Sequence, residues 1–183
     1  MKKTTLFFAA FFALCVAFTV SAQSNYAWWL KKTYNPKETT IAGFPVKAIY
    51  PTWKTAQTFT RESFTKKELA DVYTAPDFKP VWEVKRDINK DGKMDRVLVG
   101  VARTNKGGLE RFLLVLTQNG NTWTKAHLER YGAEPKYNDM GFSYLMDAGK
   151  NGILWADCFE CDGGGYLIWK NKRYQMEYPD YGD

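Results

Sequence analysis

Histidine is almost missing from this chain. His127 is the only one in 183 residues. Nothing in the sequence supplies the Ser-His-Asp order of a serine hydrolase, a GxSxG elbow or a glycine-rich phosphate loop. One histidine far from the cysteines is also too little for a zinc site. Cysteine is nearly as scarce, with three in all. Carboxylates are plentiful, yet none pairs as a glycosidase dyad would. No basic stripe runs along the chain, which argues against nucleic acid as a partner. There is no internal repeat and no linker, and after residue 22 no apolar run is long enough to span a bilayer.

The first residues stand apart. "MKK" is a short basic start, "LFFAAFFALCVAF" is an apolar core, and Val20 and Ala22 precede Gln23 as the small residues a signal peptidase requires. Residues 1–22 are therefore expected to be a cleaved signal peptide, with no lipoprotein cysteine, since Leu14 precedes Cys15. Cleavage leaves 23–183 as a single globular domain of about 160 residues, periplasmic or secreted, with no transmembrane segment. Losing Lys2 and Lys3 takes two charges from the formal +6 and leaves +4, spread along the chain. Weak attraction to anionic envelope polymers is compatible with that excess. All seven Trp and eleven Tyr lie after the signal, as in an ordered domain.

The N-terminal third reads as helical or irregular. Trp28, Trp29 and Leu30 beside Lys31 and Lys32 suggest one amphipathic turn, ended by Pro36. "TIAGFPVKAIYP" reads as extended and interrupted. "FTKKELADVY" is the best helix: Thr65 and Glu68 fit a capping box, Phe64 and Leu69 a hydrophobic staple, and Pro76 a stop. From Pro80 the pattern changes to strands. "VWEVKR" alternates, while "RVLVGVA" and "RFLLVLT" are apolar throughout and should be buried on both faces. Asn119-Gly120 signals a hairpin into "WTKAHL". After a polar stretch around "YGAEPKYNDMG" come "GILWADCF", "GYLIWK" and "RYQMEY", the last two joined by a tight turn at Asn171-Lys172. The expected class is α+β, a helical or irregular third followed by a mainly antiparallel meander of about seven strands.

The sharpest pattern is "DINKDGKMD", which places Asp87, Asn89, Asp91, Gly92 and Asp95 as D-x-N-x-D-G-x-x-D. A calcium ion takes six to eight oxygens at about 2.3–2.6 Å. Alternating Asp87, Asn89 and Asp91 can turn three of these inward, Gly92 permits the bend, the Lys93 carbonyl can follow, and Asp95 closes the set. An EF-hand would need Glu at its twelfth position and a helix beyond. Here Leu98 and a strand stand instead. The loop resembles those of FG-GAP and VCBS repeat proteins, integrin-type modules in which such a loop enters an apolar strand. The resemblance implies Asp87, Asn89, Asp91, Lys93 and Asp95 as ligands of a structural Ca2+. It covers the loop and its strand alone, and one copy cannot build a propeller. The plain alternative is a polar Asx-type turn.

"ADCFECDGGGYLIW" holds the remaining pair, Cys158 and Cys161. Asp157, Glu160 and Asp162 surround them, and negative neighbours disfavour a thiolate. In an oxidising compartment a disulfide between the two is the expected state. His127 reads as a strand-surface residue. The many aromatics are mostly core, although some could face a glycan or a protein. Taken together, the sequence favours an exported non-enzymatic binding protein of inhibitor or immunity type, stabilised by calcium, with a protein or glycan partner in the cell envelope. The alternatives are an envelope enzyme, thiol-disulfide or hydrolytic, and an accessory subunit of a surface assembly.

Overall fold

The computed structural model describes residues 28–72, 79–132, 142–156 and 164–179. The segment read as a signal peptide, Pro76 and both Cys158 and Cys161 fall outside the described residues. The architecture is mostly β, in three antiparallel sheets. Among the described residues α-helix appears only as short pieces, α1 (Trp28–Lys31), α2 (Val46–Ile49) and α3 (Lys66–Val72), with single 3-10 turns at Arg61–Ser63 and Gly149–Asn151.

This corrects the α+β expectation. The described part of the N-terminal third contributes β1 (Thr40–Ile41), β2 (Phe44–Pro45) and β3 (Trp53–Thr58). β3 escaped the pattern because its register shifts between Trp53 and Thr55. The extra residue puts the two fully buried positions, Trp53 and Ala56, three apart instead of two. β1 and β2 are too short to show any period. They close through Ala42 and Gly43, both at positive φ, which is the primed two-residue turn.

The helical expectations that survive do so for the reasons given by the sequence. In α3, Thr65 N–H donates to Glu68 Oε2 at 2.7 Å and Glu68 N–H donates to Thr65 Oγ1 at 3.2 Å, a complete capping box. Phe64 and Leu69 are both buried in the core beneath it. Trp28–Lys31 is a single helical turn with Trp29 buried.

The meander splits in two. β4 (Glu83–Arg86), β5 (Asp95–Thr104), β6 (Leu109–Asn119) and β7 (Thr122–Tyr131) join β3 in a five-stranded sheet. β3 and β4 share one edge of β5. Thr58 to Trp53 lies along Gly100–Thr104, and Glu83–Arg86 lies along Leu98–Asp95. β8 (Tyr144–Asp147), β9 (Ile153–Ala156), β10 (Gly164–Lys170) and β11 (Arg173–Glu177) form a four-stranded sheet. Val81 and Leu145 exchange two backbone hydrogen bonds that tie the sheets together at β4 and β8. Arg86 adds an ion pair to Asp147 across the same seam. At the other end β11 comes back against β7.

β5 and β6 are indeed buried on both faces. Val97, Val99, Val101, Leu113 and Val115 pack against Leu145, Ile153, Trp155 and Leu167 of the four-stranded sheet. Leu98, Ala102, Phe112, Leu114 and Leu116 pack under Ile41, Val46, Ile49 and Trp53. The N-terminal segment is thus the second lid of the sheet. Each such large apolar side chain contributes about 1.5–3 kcal/mol by leaving water. One charged group is buried in this second layer. Glu110 accepts from Trp53 Nε1 at 2.6 Å and from Arg130 at 3.0 and 3.2 Å, so its charge is paired and its oxygens are satisfied.

The turns follow the sequence closely. Asn171 and Lys172 both have positive φ between β10 and β11, a type I′ pattern. The β6–β7 hairpin is present, but Asn119 pairs with Thr122, so the turn residues are Gly120 and Asn121. Gly120 alone has positive φ, the II′ arrangement, which places the turn one residue beyond the Asn-Gly signal.

Candidate functional site

The D-x-N-x-D-G-x-x-D stretch is the connection between β4 and β5, closed at its base by the Arg86–Asp95 pair. Its shape is set by side-chain oxygens that accept from the loop's own backbone. Asp87 Oδ1 accepts from Asp91 N–H at 3.1 Å, and Asp87 Oδ2 accepts from Gly92 N–H at 2.9 Å. Asn89 Oδ1 also accepts from Asp91 N–H, at 3.0 Å, and Asp91 Oδ1 accepts from Lys93 N–H at 2.8 Å. Gly92 sits at φ +82° and Lys90 at +59°. The first is free for glycine; the second is a strained place for lysine and marks a bend imposed by the ring of hydrogen bonds.

Asp95 is the foot of the loop and is fully buried, with 0% of its surface exposed. Its Oδ2 accepts from Ile88 N–H at 2.9 Å and its Oδ1 from the Thr117 hydroxyl at 2.7 Å. Ile88, buried in the main core, anchors the loop beside it. None of Asp87, Asp91 and Asp95 has an ion-pair partner among the described residues. Lys90 and Lys93 are exposed. Among the described residues no three His, Cys, Asp or Glu side chains stand together as a metal cage, the loop's own carboxylates included. The donor chemistry nonetheless suits a hard cation. Every candidate atom is oxygen, and each carboxylate keeps lone pairs beyond the hydrogen bonds it accepts.

The loop stands at one end of a groove that the sequence did not single out. Asn89, Thr117 and Tyr174 line that end. From there the groove, about 880 Å³, runs between β7 and β11 past His127, Glu129 and Gln175. Of the described residues, only five large apolar side chains are well exposed. Three of them, Tyr131 (37%), Trp169 (38%) and Tyr178 (52%), line this one groove. Tyr131 and Tyr178 also wall an adjoining hollow of about 170 Å³ over Gly164 and Gly165. A Cβ on Gly165 would lie 2.8 Å from Tyr178 Cε1, so the missing side chain is what seats that ring. These aromatics come from β7, β10 and the segment after β11. Only the packing of the two sheets brings them together, and no local motif could have announced it.

His127 lies on β7, as the sequence suggested, with its side chain mostly covered. Its Nε2 is 3.5 Å from Glu129 Oε2, too long and poorly placed for a hydrogen bond. Burial lowers its pKa below the ordinary value, and the Glu129 charge only partly restores it. Burial disfavours the charged imidazole, so His127 is a weak counter-charge for the neighbouring Glu129 on the groove wall.

No helix among the described residues is long and apolar enough to cross a membrane. No protein-family model, curated protein or solved structure matches the chain.

Proposed function

We propose that this chain is an exported, non-enzymatic binding protein whose β4–β5 loop takes one structural calcium ion. The observation that carries the reading is the charge at the loop. Three carboxylates, Asp87, Asp91 and Asp95, lie within nine residues without an ion-pair partner, and Asp95 is fully buried. A buried carboxylate with no counter-charge is costly, and a bound cation is the direct remedy. Asp87, Asn89, Asp91, Asp95 and the Lys93 carbonyl would hold the ion. Its work would be to draw together carboxylates that otherwise repel and to pin the start of β5. The partner is a protein or a glycan of the cell envelope; if a protein, the chain is an inhibitor or immunity protein. Cys158 and Cys161 are proposed to form a disulfide with each other. Mass measurement without reductant would then find no free thiol, and two titratable thiols in fresh material would refute it.

The calcium reading is tested by thermal melts in chelator and in calcium. Extracellular calcium modules bind with Kd of about 10⁻⁴–10⁻³ M. At roughly 1 mM calcium that adds about 0.4–1.4 kcal/mol, a rise of about 1–6 °C in Tm for a domain of this size. Magnesium is expected to do less, because it resists dehydration. Asp87→Ala and Asp91→Ala should abolish the response. Asp95→Asn is the cleaner variant. Its amide can still accept from Ile88 N–H and can donate to the Thr117 hydroxyl, so the chelator melt should hold or rise while the calcium response disappears. Identical wild-type melts in both buffers, with no calcium by elemental analysis, would reduce the loop to an Asx-rich turn.

A further inference from the structure

We propose that the groove between β7 and β11 binds an acidic oligosaccharide chain, a reading that rests on the chain being an exported binding protein and names its partner's chemistry. Three of the five well-exposed large apolar side chains gather in this one concavity. Scattered exposed aromatics need no explanation, but their concentration in a groove marks a binding site. Their chemistry selects the ligand. A pyranose ring is apolar on its C–H face and hydroxylated at its rim. It stacks on an aromatic face while its hydroxyls seek polar side chains. Trp169 is held for such stacking by its edge contact with Tyr174, ring centres 4.8 Å apart. Gln175 and Glu129 stand in the same lining as rim partners.

The charge of the lining adds the acidic preference. Of the residues that line the groove, Lys172 and Arg173 at the β10–β11 turn are the cations and Glu129 is the one carboxylate; the loop carboxylates Asp87, Asp91 and Asp95 stand at its end, where the proposed calcium ion would offset most of their charge. Neither cation has a carboxylate partner among the described residues. Arg173 donates only to the neutral Gln175 Oε1, at 3.3 Å. A sugar bearing a carboxylate supplies the missing anion. The volume of about 880 Å³ is enough for several sugar units in line. A protein partner would instead need a broad face, roughly 800 Å² on each side, where the aromatics lie in a furrow.

The test is calorimetric and fluorescence titration of the mature chain with a hyaluronan tetrasaccharide as the acidic probe and chitotetraose as the neutral one. The acidic probe should bind with Kd below about 1 mM and weaken as salt is raised. Trp169→Ala and Tyr178→Ala should each weaken it at least about fivefold, within the worth of one aromatic contact. Lys172→Gln with Arg173→Gln should cost about tenfold against the acidic probe and leave the neutral one unchanged. Val81→Ala, an exposed apolar position away from the groove, should change nothing. All variants should melt within a few degrees of wild type. Absence of heat with both sugars at millimolar concentration overturns the proposal, as does wild-type affinity in Trp169→Ala and Tyr178→Ala. So does binding of an extended Thr-Val decapeptide with neither sugar bound, which would mark strand addition at the β7 or β11 edge instead. Each titration is run in chelator and in calcium, and on Asp95→Asn. Sugar binding without a calcium response removes only the calcium reading, and a calcium response without sugar binding removes only this one.

Discussion

At the scale of single residues, Gly100 shows how tightly the two-sided sheet is built. It lies mid-β5, opposite Thr58 on β3 and Phe112 on β6. A Cβ there would sit 2.1 Å from the Gln57 carbonyl oxygen and 2.8 Å from Phe112 Cζ. The first of these is backbone and cannot rotate away. Gly100→Ala is therefore expected to destabilise by about 2–4 kcal/mol, lowering Tm by at least about 5 °C. A melt within 2 °C of wild type would show that β3 can move off β5. A glycine inside an apolar strand is the residue type that signals such close approach, but which backbone approaches is not written beside it. The loop carboxylates are the opposite case. Their types and spacing are legible in "DINKDGKMD", while the burial of Asp95 and its bond to Thr117, 22 residues later, belong to the fold.

At the scale of elements, α3 depends on its cap more than on its length. Seven residues are too few to be stable alone. Thr65 and Glu68 satisfy two N-terminal donors, Lys32 pairs with Glu68 at 2.8 Å, and Phe64 and Leu69 fasten the element to the core. Thr65→Ala should cost about 1 kcal/mol, or about 2–4 °C in Tm, because it strips one of those donors of its partner. A loss below 0.3 kcal/mol in chemical denaturation would mean that packing alone holds the helix. The cap was readable because all its parts lie within six residues. β3 was not, because a bulge broke its alternation, and β8 was not, because it follows directly on a polar stretch and is only four residues long.

At the scale of the whole molecule, stability should fall with acid in two stages. Burial holds His127 below its ordinary 6.5, against the pull of Glu129. The unfolded chain takes up that proton first, so stability is full above about pH 6.5 and declines as pH drops through the lowered folded value. Glu68 and Glu83 form the second stage. Burial opposes their ionisation, but hydrogen bonds from Lys32 and Thr65 to the one, and from Arg96 to the other, outweigh it and hold both below 4.5. Their contribution is present above about pH 4.5 and is lost as pH falls through the folded values. Denaturant unfolding in chelator across pH 3–8 should show both declines, and His127→Gln should lack the first. An unchanged upper decline in that variant would assign it to other groups.

The sequence by itself determined what short range can encode. The β5 and β6 runs, the tight turn at Asn171-Lys172, the capping box and the oxygen pattern of the β4–β5 loop each depend on neighbours a few positions apart, so residue type and spacing were enough. The tertiary structure decided the rest. It divided the strands between sheets that are bridged at Val81 and Leu145, it added residues 53–58 to the edge of one sheet, and it laid residues 40–49 over a sheet face the sequence could only mark as needing cover. It also drew Tyr131, Trp169 and Tyr178 into one groove. Those outcomes follow from which apolar faces meet. That is settled by packing over separations of tens of residues, where the order of amino acids along the chain carries no local signal.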